Sequence, residues 1–150
     1  MITDRKRPRK HPVKKPEHKV RRFKMPCIRH IVIHSTTTVP NCTVHDLSNV
    51  PYHYVITKRG KVLKFREIES KNTCIEIAYL GGLNRAGKHC DNRTAAQNDG
   101  LFRVLVQLTD FFPKATIIGA DKIYVYSHAN PGFDIKSWLN DYIPEFLQAA

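Results

Sequence analysis

Acidic residues are scarce in this chain of 150 residues, which has 13 aspartates and glutamates against 25 lysines and arginines. The shortage is greatest at the start, where residues 1–26 hold eleven basic residues and only Asp4 and Glu17 as acids. This segment carries +9 of the formal net charge of +12, which leaves +3 for the rest. We therefore expect two parts: a basic, disordered arm at 1–26 and one folded domain at 27–150.

The arm also has almost no aromatic side chains, since Phe23 is the only one. Proteins that read single-stranded nucleic acid stack its bases on aromatic rings, so sequence-specific recognition is not expected there. Prolines at positions 8, 12, 16 and 26 argue against an amphipathic membrane helix. Two interpretations of the arm stay open: a solubilising tail, or a segment that binds polyanions such as nucleic acid, anionic wall polymer or acidic lipid.

Three further features are missing from the chain. No apolar run approaches the length of about 20 residues that a membrane-spanning helix needs. No signal peptide follows the basic start, so we expect a protein that stays in the cytoplasm or is released by lysis. The four cysteines, at positions 27, 42, 74 and 90, include no CxxC pair. Without a signal peptide, reduced thiols are favoured over disulfides.

What the chain does contain is an alternation of β-branched runs with amphipathic segments, which predicts an α/β fold with a central mixed β-sheet flanked by helices. The central stretch has an apolar strand, a Gly81-Gly82 turn, and a helix that Thr94 and Gln97 begin with a capping box. Strands are predicted at 27–34, 52–57, 62–65, 74–80 and 114–119, with helices at 95–112 and 133–140. A further short strand is considered at 123–126.

Four pieces of sequence carry a resemblance over residues 28–142: IVIHST, PYHYVITKRGKV, IEIAYLGGLNRAGK with DNRTAAQ, and NPGFDIKSWL. In this order and spacing they resemble the zinc-dependent N-acetylmuramoyl-L-alanine amidases of the phage-lysozyme and peptidoglycan-recognition (PGRP) type. The resemblance implies a mixed sheet with helices on both faces and an open cleft. In that family the cleft holds zinc and cuts the amide between N-acetylmuramic acid and L-alanine, so peptidoglycan is the implied partner.

The resemblance also implies where a metal would be held. The family uses a histidine that ends the first strand, a second histidine after a later strand, and a cysteine or aspartate before Pro-x-Phe-Asp. The matching positions here are His34, Asp121 and Asn130. Only the first is a good zinc ligand, because a neutral amide is a poor donor and one carboxylate with one imidazole makes a weak site.

Two catalytic positions are implied in the same way. Tyr52 matches the tyrosine that helps to polarise the bound water, and His128 matches the residue that stabilises the oxyanion. Two segments that line the family's cleft are shortened, however: 34–52 lacks room for a full helix, and 65–74 lacks the usual Gly-x-His-x-x-Gly-x-Asn loop.

Three functions stay open at this point. The first is an amidase of peptidoglycan breakdown, derived from a phage or prophage, in which zinc assists hydrolysis. The second is an inactive amidase-fold module that binds glycan, nucleic acid or protein. The third is a structural protein associated with nucleic acid mainly through residues 1–26.

Overall fold

The computed structural model describes residues 24–142, and nearly all of the predicted arm at 1–26 lies outside them. The described chain is an α/β domain, as the sequence predicts. Its elements are β1 (His30–Ser35), β2 (Tyr54–Ile56), β3 (Val62–Lys64), β4 (Cys74–Tyr79), α1 (Ala95–Phe111), β5 (Thr116–Gly119) and α2 (Ile135–Tyr142).

The five strands form one mixed sheet in the order β3-β2-β4-β1-β5. The strands β2, β4, β1 and β5 run parallel, whereas β3 pairs antiparallel with β2 as a hairpin. In the central pair, Val32 lies opposite Glu76 and His34 lies opposite Ala78. Because side chains alternate between the two faces of a strand, these four residues share one face of the sheet.

The opposite face of the sheet carries the hydrophobic core. It presents the isoleucines of β1 and β4, and both α-helices pack into the same cluster. Helix α1 contributes an apolar stripe at helical spacing, and α2 contributes Trp138, which is 9% exposed. Trp138 is therefore buried between α2 and the sheet. The core residues of this face and its helices are Ile31, Ile33, Ile75, Ile77, Leu101, Val104, Leu105, Leu108, Ile135 and Trp138.

The start of α1 follows the predicted capping box. Thr94 Oγ1 accepts a hydrogen bond from the Gln97 main-chain nitrogen at 3.0 Å, and Gln97 Oε1 accepts one from the Thr94 nitrogen at 3.0 Å. The Gln97 amide is buried, and its Nε2 also donates to the carbonyl oxygens of Ile56 and Leu80. One side chain therefore joins the beginning of the helix to the ends of β2 and β4.

The glycine turn after β4 is also confirmed, and its cause is close packing against β1. Gly82 has a φ of 99°, and a Cβ there would lie 2.2 Å from Ser35 Oγ. Only glycine fits this conformation and this space. The turn therefore brings the end of β4 against the end of β1.

The face that carries His34 and Glu76 is covered differently. Between β1 and β2 the described chain forms only a 3₁₀ turn at Val44–Asp46, where the resemblance implies a full helix. This agrees with the shortened length of the segment and leaves that face to loops. The short strand considered at 123–126 was wrong, because these residues follow a 3₁₀ turn at Ala120–Lys122 and continue in turns. Val125 and Tyr126 are 80% and 89% exposed there, so nothing pairs with them as a strand would require.

Candidate functional site

A cavity of about 370 Å³ opens on the loop-covered face at the end of β1. Parallel strands bring their carboxyl ends to one edge of a sheet, and that edge is where α/β proteins commonly bind ligands. Imidazole, carboxylate, amide and phenol groups all meet in this cavity. Its lining residues are His34, Thr37, Pro51, Tyr52, Glu76, Tyr124, Tyr126, Ser127 and Asn130.

His34 and Glu76 form a close pair in the cavity. His34 Nε2 lies 2.5 Å from Glu76 Oε2, and the two side chains are only 11% and 17% exposed. The contact follows from the sheet register, because both residues lie on the same face of neighbouring parallel strands. An ionised carboxylate only accepts hydrogen bonds, so His34 Nε2 carries the proton of this bond.

Two tyrosines complete the surroundings of His34. The Tyr124 hydroxyl donates a short hydrogen bond to Glu76 Oε1, and its ring stacks on the His34 ring at 5.7 Å between centroids. The Tyr52 ring lies 5.0 Å from the His34 ring, and its hydroxyl donates to the Ser35 carbonyl oxygen at 3.4 Å. His34 is thus held between two aromatic rings and one carboxylate.

Burial and hydrogen bonding shift the pKa values of Glu76, Tyr52 and Tyr124. Burial alone would raise the pKa of Glu76, but the hydrogen bonds from His34 and Tyr124 outweigh it and hold that pKa below its ordinary value. Burial, followed by the nearby Glu76 charge, raises the pKa of Tyr52. Burial and the bond to Glu76 raise the pKa of Tyr124 far above its ordinary value. Both phenols therefore stay protonated at neutral pH and act as hydrogen-bond donors.

Asn130, the third position implied for a metal ligand, is occupied by main-chain contacts. Its Oδ1 accepts a hydrogen bond from the Ser35 nitrogen at 2.6 Å, and its Nδ2 donates to the Ser35 carbonyl oxygen at 3.2 Å. The residue is 9% exposed. The buried Asn130 amide therefore links the loop before α2 to the end of β1 by hydrogen bonds.

Asp121 and His128 lie in a different cavity, of about 430 Å³, on the other side of Asn130. Asp121 is more exposed than His34, and its Oδ2 lies 3.8 Å from Lys122 Nζ. His128 does not line the cavity that holds His34 and Tyr52. The five residues singled out in the sequence are therefore divided between two cavities, with Asn130 alone lining both.

This arrangement does not fit the zinc site that the resemblance implies. Within residues 24–142, no group of three or more His, Cys, Asp or Glu side chains is placed to hold a metal ion. A zinc site needs at least three good nitrogen, sulfur or oxygen ligands around one point. Here the Asn130 amide is bonded to Ser35 and Asp121 lies in the second cavity, which leaves His34 as one good ligand of the implied three.

Sequence reasoning missed Glu76 and Tyr124. The signal for Glu76 was present, since it is the one charged side chain in the otherwise uncharged strand CIEIAY. Period-two spacing places it on the same face as His34 once β1 and β4 are neighbours. Tyr124 had no such signal, because its position depends on the fold of the loop that follows β5.

Comparison with known proteins supports the fold at low sequence identity. No family model matches the chain. An endolysin of Enterobacteria phage K11 is 28% identical over 99 residues, a match that spans 61% of this chain and 64% of that relative. The chain therefore spans less than two thirds of the curated relative.

Solved structures extend the match to most of the domain. The endolysin N-acetylmuramoyl-L-alanine amidase LysCS from Clostridium intestinale is 16% identical, with a TM-score of 0.62 over 80% of this chain and 86% of that one. Bumblebee PGRP-SA is 12% identical, with a TM-score of 0.55 over 78% and 83%. These likenesses confirm the fold that the four sequence pieces imply: the chain has the fold shared by phage-type N-acetylmuramoyl-L-alanine amidases and PGRP proteins.

Proposed function

We propose that this protein is a phage-derived, amidase-like protein that acts on peptidoglycan by binding it in the cleft around His34. The amidase fold and the similarity to a phage endolysin support peptidoglycan as the partner. The two hydrogen bonds between the Asn130 side chain and the Ser35 main chain carry the choice of binding over zinc-assisted hydrolysis. These bonds occupy the amide at the third position of the implied zinc set, and Asp121, at the second position, lies in the other cavity.

The lining of the cleft suits a glycopeptide. Tyr52 and Tyr124 line the cleft, and the neighbouring Tyr126 and Val125 are 89% and 80% exposed. Large exposed apolar side chains beside a cavity are typical of binding surfaces. Tyrosine offers a flat apolar ring and a polar end, which matches a ligand that alternates sugar rings with amides.

The test is co-sedimentation of the full chain with purified peptidoglycan at about 1 M salt, where the Debye length is about 3 Å and charge contacts of the arm are screened. We expect the protein to sediment with the wall material. Tyr126→Ser should weaken binding about tenfold, or about 1.4 kcal/mol. Phe111→Ser is the matched control, because Phe111 is 69% exposed but belongs to α1 and not to the cleft. Failure of the unmodified protein to sediment would reject the proposal.

A second candidate is hydrolysis of the muramoyl–alanine amide, and the similarity to the K11 endolysin favours it. In this version, His34 and Tyr52 would serve the reaction, with His128 and Asp121 moving toward them from the second cavity. Release of stem peptides from purified walls separates the two candidates. Peptide release that is lost in His34→Ala would establish hydrolysis, whereas sedimentation without release supports binding.

We further propose that residues 1–26 act as a separate basic arm that strengthens attachment to anionic polymers. The support is the net charge of +9 in this segment, a charge suited to anionic wall polymer and to nucleic acid alike. No helix within residues 24–142 has the length and apolar character needed to cross a bilayer.

A further inference from the structure

We propose that Glu76 fixes the orientation and proton position of His34, so that His34 Nδ1 is a hydrogen-bond acceptor for an N–H or O–H group of the ligand in the cleft. The proposal rests on the peptidoglycan-binding function and adds the atoms that make the contact. Glu76 is a positioning residue in this account, and His34 is the residue that touches the ligand.

The two ring nitrogens of His34 differ in their surroundings. In a neutral imidazole one nitrogen carries the proton and the other carries a lone pair, and the partner of one nitrogen decides which is which. The Glu76 carboxylate accepts from Nε2, so in the neutral ring the lone pair is on Nδ1. The short hydrogen bond from Tyr124 holds the other oxygen of the same carboxylate, which prevents Glu76 from turning away.

His34 Nδ1 is accessible from the cleft. This atom makes no hydrogen bond with residues 24–142. Among these residues, the buried side-chain atoms without a hydrogen-bond partner are His30 Nδ1 and Trp138 Nε1. His34 Nδ1 is not among these buried atoms, and the His34 ring lines the cavity. The acceptor is therefore open to the cleft.

Neighbouring residues hold the side chains of Glu76 and His34 in place. The main-chain nitrogen of Glu76 donates to His53 Nδ1 at 2.9 Å, and His53 is buried at 5% exposure. The His34 ring stacks on the Tyr124 ring and also lies close to the tilted Tyr52 ring. A binding group held in this way by its neighbours loses little conformational freedom when the ligand arrives. His34 Nδ1 can therefore accept a hydrogen bond from a ligand N–H or O–H group without a rearrangement of the site.

The test uses ¹⁵N NMR of the His34 ring in the full-length protein at alkaline pH. In the free protein we expect Nε2 to be protonated, with a slowly exchanging proton, and Nδ1 to be unprotonated. Addition of N-acetylmuramoyl-L-alanyl-D-isoglutamine should shift the Nδ1 resonance and leave Nε2 in place. A proton on Nδ1 in the free protein would overturn the proposal.

Variants of Glu76 distinguish a role in positioning His34 from a role in packing. Glu76→Ala should lose the slow exchange of the Nε2 proton and weaken muramyl peptide binding about tenfold, whereas Glu76→Gln, which keeps an acceptor oxygen, should retain part of both. Asp110→Asn, an exposed change on α1, should alter neither. Binding with an unmoved Nδ1 resonance would reject this inference and leave the proposed function intact. Absence of any binding to the muramyl peptide or to whole peptidoglycan would reject both.

Discussion

The side chain of Asn130 pairs with both main-chain polar groups of Ser35, 95 positions earlier in the chain. Two hydrogen bonds across this separation tie the loop before α2 to the end of β1. The same position is one where the resemblance implies a metal ligand. A residue that would bind metal in a zinc amidase here holds the cleft together by hydrogen bonds instead.

Replacing Asn130 with Ala should therefore destabilise the domain. The change leaves the buried Ser35 nitrogen without its acceptor, which costs about 1–3 kcal/mol in the free energy of unfolding. Urea denaturation measures this value. Asn41→Ala is the control, since Asn41 is exposed and the expected change is within about 0.5 kcal/mol. Equal stabilities of the two variants would show that the Asn130 bonds contribute nothing.

Deleting residues 1–24 should change the binding of polyanions but not the stability of the domain. We expect the thermal transition to stay nearly unchanged, because the arm is proposed to be disordered and separate from the domain. Binding to polyanions should weaken strongly, and its dependence on salt should flatten. Calorimetry and titrations with heparin at several salt concentrations check both. A large loss of thermal stability would show that the arm packs on the domain.

Trp138 should be a major contributor to stability. It packs edge-on against Phe133 at 5.9 Å and stacks on Tyr142 at 5.5 Å. Trp138→Ala should cost about 3–5 kcal/mol, whereas Trp138→Phe should cost less because most of the volume remains. Trp138 is the only tryptophan, so its fluorescence reports this site directly. A native emission spectrum of a fully water-exposed indole would contradict the placement.

Glu76 should make stability depend on acid pH. Its pKa is lowered in the folded protein by His34 and Tyr124, so the unfolded chain binds more protons as pH falls. The stability from this group is fully present above the unfolded pKa of about 4.3. It is lost as pH drops through the lower folded value. His34, Tyr124, His53 and Tyr52 are the titratable groups that face it.

The measurement is the free energy of unfolding between about pH 6 and pH 2.5, compared with Glu76→Gln. The variant should lose less stability than the unmodified protein over this interval, because it has no proton to take up at position 76. Parallel curves for the two proteins would show that Glu76 has the same pKa in the folded and unfolded states.

Most of the fold could be predicted from the sequence because it depends on local signals. The capping box at Thr94 and the double glycine at 81–82 act over a few residues, and the alternation of apolar side chains sets the faces of the strands. The site was harder to predict. Glu76 meets His34 only because β1 and β4 are neighbours in register, and the division between two cavities depends on loops after β5. No spacing in the sequence encodes those distances.

The central claim is that this amidase-like cleft holds His34 in a hydrogen-bonded cluster in place of a zinc site. Metal analysis of the purified full chain, after dialysis against buffered zinc at about 1 µM, tests it most directly. Since structural zinc sites bind with about 10–16 kcal/mol, a working site would be saturated at this concentration. The account predicts far less than one zinc per chain and no difference between the unmodified protein and His34→Ala. One zinc per chain that is lost in His34→Ala would contradict it.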